Sequence, residues 1–199
     1  MFNVSPSRTV VLPDDNLDAV GCFLQFLYTG EYFPRIIKLA TGDEHLEKDP
    51  FSGISTDVDE DGGALLKHAR VYTLAEKLGV DQLKLLAHAK IHRINSTAKG
   101  ELAYARYVYA NTAREDTTIR APIASFWAHR SHILRHEAEH EFRRMVLEFP
   151  QFAYDILSMV LDQKEKGASK EKERERDGAE GPLERIKSGR KRPRLSTLS

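Results

Sequence analysis

The chain has 199 residues with 30 Lys and Arg against 30 Asp and Glu, so it is formally neutral at pH 7. That length holds one compact domain with an appendage, and balanced charge gives no general attraction to nucleic acid or to an anionic membrane. No apolar run approaches the roughly 18 residues of a membrane span, Met1 opens onto a polar segment, and one cysteine excludes an internal disulfide, so the expected compartment is nuclear or cytoplasmic.

Residues 8–12, RTVVL, are rich in β-branched side chains and are stopped by Pro13, which predicts a short strand. A helix should follow, capped by Asp14 or Asp15, with Leu17, Val20, Phe23, Leu24, Leu27 and Tyr28 at spacings of three and four and Gly30 as its stop. Cys22 falls within it, with no His and acid neighbourhood visible for nucleophilic work, and is read as a packing residue.

Residues 41–63 hold scattered Gly, Ser and Pro, and from Asp43 to Asp61 there are eight carboxylates and one lysine, without periodicity. This is read as a solvated or disordered acidic insertion, and it lacks the Asp-Gly-Glu register of a calcium loop. Helical spacing resumes at Leu65, Leu66, Ala69, Tyr72, Ala75 and Leu78, stops at Gly79, and restarts after Asp81 with Leu83, Leu86, Ala87 and Ile91. Two helices joined by so short a turn predict an αα unit.

LAYARYVYANT, residues 102–112, sets Tyr104, Tyr107 and Val108 at helical spacing, a pattern of core packing rather than base stacking. One long helix is expected from Ala121, with Pro122 in its first turn, to Phe149, where Pro150 interrupts it. Phe152, Ile156, Leu157, Val160 and Leu161 predict a further short helix.

Residues 163–199 carry twelve Lys and Arg against seven Asp and Glu and bury nothing, which predicts a disordered charged tail. Its end gathers Lys187, Arg190, Lys191, Arg192 and Arg194, a cluster of the kind nuclear import receptors read. The same cluster offers an alternative function, salt-sensitive nucleic-acid binding, though nucleic acid is not the expected partner.

Within the long helix His136-Glu137-Ala138-Glu139-His140 fits H-E-x-x-H, and this raises a second alternative, a zinc-dependent hydrolase with His136 and His140 as ligands and Glu137 as base. The surrounding pattern argues against it. Ala124, Trp127, Leu134, Ala138, Phe142, Met145 and Phe149 define the packing stripe, from which His136 and His140 point away. The second central position is the charged Glu139, and no third ligand follows at the metzincin spacing, where Arg143 and Met145 stand. His88 and His92, and His132 ahead of His136, repeat the four-residue interval, as polar helix faces using histidine would. No catalytic residue, cofactor or metal is assigned.

The stretch VVLPDDNLDAVGCFLQFLYTGEY, with Tyr28-Thr29-Gly30, followed by LLKHARVYTLAEKLGVDQLKLLAHAKI, with Tyr72 to Lys77 and Leu83, resembles the second half of a BTB/POZ domain of the fungal kind. The resemblance implies a mainly α fold, a partial BTB/POZ-like α/β remnant of a short strand plus helices, packed with C-terminal helices. The organisation expected is residues 1–95 as the second half of that domain with the acidic insertion at 41–63, 96–162 as a helical extension, and 163–199 as the tail. The family's opening strand and helix, which usually form its dimer interface, are not seen ahead of residue 9, which speaks against a homodimer.

The resemblance further implies a noncatalytic protein-interaction module, a ubiquitin-ligase adaptor or nuclear scaffold, with protein partners that include a cullin scaffold. Leu24, Leu27, Tyr28, Tyr72, Leu74, Leu78, Leu83 and Leu86 are the expected helical core. A one-strand, three-helix remnant has too few elements to cover its apolar faces, so covering by the C-terminal extension is expected.

Overall fold

The computed structural model describes residues 12, 15–48 and 58–179, and of these the side chains at 131–135 and 171–179 are not described. Residues 8–11 of the expected strand, residues 49–57 of the insertion, the side chains of His132 and Leu134, and the basic cluster at Lys187, Arg190, Lys191, Arg192 and Arg194 therefore lie outside the described residues. Among the described residues the architecture is mainly α, with seven helices and two short two-stranded sheets. No helix among them is long and apolar enough to cross a membrane.

Helix α1 (Leu17–Thr29) starts where the Asn16 side chain accepts from the Asp18 and Ala19 amides, so Asn16 takes the capping role expected of Asp14 or Asp15. It ends at Gly30, whose φ of 72° is open to glycine at no steric cost. Strand β1 (Ile36–Lys38), just ahead of the segment read as a loop, and strand β2 (Glu44–Leu46), inside it, form an antiparallel hairpin. Gly42 turns it at φ 91°, and Lys38–Glu44 and Arg35–Glu47 ion pairs at 3.2 and 3.1 Å bridge the strands. Glu44 and Glu47 pair with cations across the hairpin, a relation that periodicity does not reveal.

Strand β3 (Val58–Asp59) pairs in parallel with β4 (Asn95–Ser96), drawing together the starts of α2 (Gly63–Leu78) and α4 (Ala98–Asn111). The approach requires glycine twice. A Cβ on Gly62, at φ 78°, would stand 2.6 Å from the Gly100 oxygen, and one on Gly100 would strike Ser96 Oγ and stand 2.9 Å from the Asp59 carbonyl. Asp59 Oδ2 accepts the Leu65 amide at 3.0 Å, capping α2 from outside the helix.

Helix α2 is central and touches α1, α3 (Asp81–Ile91) and α4. The αα unit of α2 and α3, joined through Gly79, forms as its sequence predicts. Tyr72, Leu74 and Leu83 are buried and Leu78 and Leu86 pack half-buried against them, as expected. Leu24, Leu27 and Tyr28 are not core residues: they are 49, 57 and 89% exposed.

In place of one long helix there are two, α5 (Thr117–Glu137) and α6 (Glu139–Glu148), with Ala138 between them at φ −137°, ψ 49°. The helix also starts a turn earlier than Ala121 and carries Pro122 inside. Packing explains the break. On a straight helix Trp127 and Phe142 would be about 22 Å apart along the axis, whereas their ring centroids lie 5.3 Å apart. The chain must turn back for both to join Phe152 of α7 (Pro150–Ala179) and Tyr109 of α4 in one aromatic cluster.

The described residues divide into two units, one ending at Val160 and one beginning at Leu161. In the first, Phe152 and Ile156 are buried. In the second, described residues that the sequence assigns to a disordered tail continue α7 to Ala179, with 161–170 exposed. Straight-chain Lys, Glu and Arg lose little freedom in a helix, and Asp162 with Lys166 stands in the favourable i, i+4 order, so helix forms there without burial.

Candidate functional site

The H-E-x-x-H chemistry needs both histidines on successive turns of one helix. The break at Ala138 falls inside the motif, leaving His136 and Glu137 at the end of α5 and Glu139 and His140 at the start of α6. All four side chains are exposed, while Ala138 between them is buried. The motif residues thus face solvent from two different helices. His88 and His92 do meet, with Nε2 atoms 3.1 Å apart, and His88 Nε2 lies 3.0 Å from the Thr118 carbonyl, which ties α3 to the first turn of α5.

The feature without a structural purpose inside the fold is the outer face of α1. At about 100° per residue, Leu17, Leu24, Leu27 and Tyr28 fall within a 100° arc, and Ala19, Cys22, Phe23 and Phe26 fall on the opposite side. The second set packs inward, with Ala19 and Cys22 buried and Phe23 and Phe26 half-buried. Burial pushes the Cys22 thiol above its usual range, as suits a packing residue. Leu17 on the outer face is 86% exposed. The small side chains of Ala19 and Cys22 allow α1 to lie close to α2, and the larger residues are left outside.

A buried polar knot holds the end of α1 in this orientation. Lys90 of α3 is wholly buried and donates to the Tyr32 carbonyl, to the Pro34 carbonyl at 2.6 Å and to Glu31 Oε1 at 2.6 Å. Its ammonium also lies 3.7 Å from the Tyr32 ring centroid. Burial pulls this ammonium below the usual lysine range, with Glu31 opposing. Tyr32 Oη and His68 Nδ1 are 2.8 Å apart. Burial, with Lys90 and Lys67 nearby, pushes His68 down to about 3, so its ring is neutral. Sequence reasoning passed over Lys90, His68 and Tyr32; the one available signal was a lysine inside the apolar run LLAHAKI.

Comparison with protein-family models, with curated proteins and with solved structures finds no match.

Proposed function

We propose that the protein is a noncatalytic interaction module of the BTB/POZ kind, and that it receives an amphipathic helix of a partner protein on the outer face of α1. The observation that carries this reading is the run of exposed apolar side chains at Leu17, Leu24, Leu27 and Tyr28. Their spacing of seven, three and one residues is that of a helix-packing seam, and a partner helix laid along it would find an apolar stripe of matching width. The resemblance of the segments around Tyr28-Thr29-Gly30 and Tyr72 to Lys77 to fungal BTB/POZ proteins supports the same class of function, as ubiquitin-ligase adaptor or nuclear scaffold with a cullin scaffold among its partners. A nuclear or cytoplasmic location goes with that reading.

The test is affinity capture followed by titration of each identified partner, and of a purified cullin scaffold, against wild type and the Leu24→Glu/Leu27→Glu double variant. Each leucine buried at an interface is worth about 1.5–3 kcal/mol, so the double variant should bind its partners at least a hundredfold more weakly. Partners retained at unchanged affinity would overturn the assignment of α1. A fusion to a fluorescent protein, with and without residues 187–199, tests whether the basic cluster directs the chain to the nucleus.

A further inference from the structure

A second feature lies away from α1, where α3 ends against the start of α5. His88 sits in the last turn of α3, and His92, the residue that caps the helix, keeps right-handed helical backbone at φ −68°, ψ −6°. The four-residue interval therefore stays on one helical face, and the two rings meet edge to face with centroids 4.5 Å apart. Their Nε2 atoms are 3.1 Å apart, and His88 Nε2 is 3.0 Å from the Thr118 carbonyl oxygen.

That carbonyl looks outside its own helix for a reason written in the sequence. Within α5 the Thr118 oxygen would accept from the amide four residues on, and residue 122 is proline, which has no N–H. Three polar atoms from two helices are thus brought together with too few hydrogens. With the proton on His88 Nε2, one hydrogen faces two acceptors; with the proton on His92 Nε2 alone, the carbonyl has no donor; with both protonated, two N–H groups collide. No neutral arrangement gives each of the three atoms a partner of its own.

A metal ion does. Bonds of about 2.0–2.1 Å set neighbouring ligand atoms about 2.9 Å apart at a right angle and about 3.3 Å apart at the tetrahedral angle, and the observed separations of 3.1 and 3.0 Å fall between these. The surroundings suit a cation. His88 is half-buried with its ring centroid 6.4 Å from that of Tyr72, while His92 is exposed and leaves room for water. Arg93, next in the chain, has its guanidinium drawn to the Ala89 carbonyl and to Glu44. The C-terminal end of α3 adds the negative pole of its helix dipole. Among the described residues no group of three His, Cys, Asp or Glu side chains is placed to hold a metal; here the third donor is a main-chain oxygen.

We propose that His88 Nε2, His92 Nε2 and the Thr118 carbonyl bind a divalent transition ion of the zinc and nickel kind, with water in its remaining positions, so that the ion clips α3 to α5. Imidazole nitrogen is a ligand these ions favour. With fewer than four protein ligands the ion is exchangeable, unlike a closed structural zinc centre, and its binding stabilises the fold by mass action. This site is independent of the α1 face.

The probes are zinc chloride and, separately, nickel chloride, titrated into the full chain by calorimetry in chelator-free buffer, with thermal unfolding followed in the presence and absence of each ion. Wild type should show saturable binding and a raised unfolding temperature. His92→Ala, at an exposed position, should weaken binding by about tenfold or more and remove the rise in unfolding temperature. The His136→Ala/His140→Ala double variant should leave both unchanged. Pro122→Ala, which returns to Thr118 its partner within α5, should weaken binding severalfold. Absence of saturable binding to wild type would overturn the proposal, as would His92→Ala binding as tightly as wild type or binding lost in the double variant instead. Unchanged affinity in Pro122→Ala would overturn the carbonyl as a ligand, and with it the clip between α3 and α5.

Discussion

The Lys90 ammonium lies 3.7 Å from the centre of the Tyr32 ring, with no part of its side chain exposed. Its hydrogens go to the Tyr32 and Pro34 carbonyls and to Glu31, so one residue of α3 fastens the chain as it leaves α1. Truncating one partner of a buried pair leaves the others desolvated and unpaired. Lys90→Met, which keeps the volume, should lower stability by about 2–4 kcal/mol, read as a shift in the urea midpoint at unchanged slope. A variant as stable as wild type would show that the knot contributes nothing.

The glycine contact at the head of α2 gives a sharper expectation. Gly62→Ala must hold a Cβ 2.6 Å from the Gly100 oxygen while keeping φ at 78°. Steric overlap with backbone and a left-handed residue act together, so a loss of about 2 kcal/mol or more is expected. Gly63→Ala, one residue later, meets nothing within 4 Å and should leave thermal unfolding nearly unchanged. Equal effects at the two positions would refute the close approach of α2 and α4.

His68 and Glu101 should oppose each other in the dependence of stability on pH. His68 has its proton affinity lowered from 6.5 to about 3, so between those values the unfolded chain binds a proton that the fold refuses. Its contribution is fully present above pH 6.5 and is lost as pH falls toward 3. Glu101 is raised from 4.5 to about 7, so the fold keeps a proton that the unfolded chain releases, and that contribution is present below pH 4.5 and lost as pH rises through 7. Each slope is at most about 1.4 kcal/mol per pH unit, and between pH 4.5 and 6.5 they cancel. Urea denaturation of Glu101→Gln across that window should fall more steeply with acid than wild type by up to that amount. Parallel profiles would contradict the burial of Glu101.

On α1 the two faces should respond differently. Leu24→Glu and Leu27→Glu, at exposed positions, should each change stability by less than about 0.5 kcal/mol. Ala19→Leu, on the buried face, should cost about 1–3 kcal/mol through overpacking against α2. A reversal, with the leucines costly and Ala19 tolerant, would restore the core expected from sequence and remove the proposed partner surface.

Element ends were legible in the sequence because their causes lie within a turn of the chain. Gly30 and Gly79 close α1 and α2 where their left-handed conformations allow, Asp81 opens α3, and Pro150 separates α6 from α7. The αα unit of α2 and α3 followed from spacing alone. The faces did not, because α1 is apolar on both sides and its period is satisfied equally by burying Leu24 and Leu27 or by burying Ala19 and Cys22. Which side turns inward depends on how closely α2 can approach, and on a lysine more than 60 residues from Leu27 that secures the helix end.

The same division governs the candidate sites. The spacing of His136 and His140 is a property of the sequence, but their separation onto two helices arises because Trp127 and Phe142 gain more by meeting than one straight helix could permit. Glu101 reads as an ordinary first-turn acid, favourable near a helix N-terminus. Only the residues brought to it from α2, α3 and α5 half-bury it. Local chemistry is written in neighbouring residues; burial, and the meeting of groups from separate helices, are decided by segments distant along the chain.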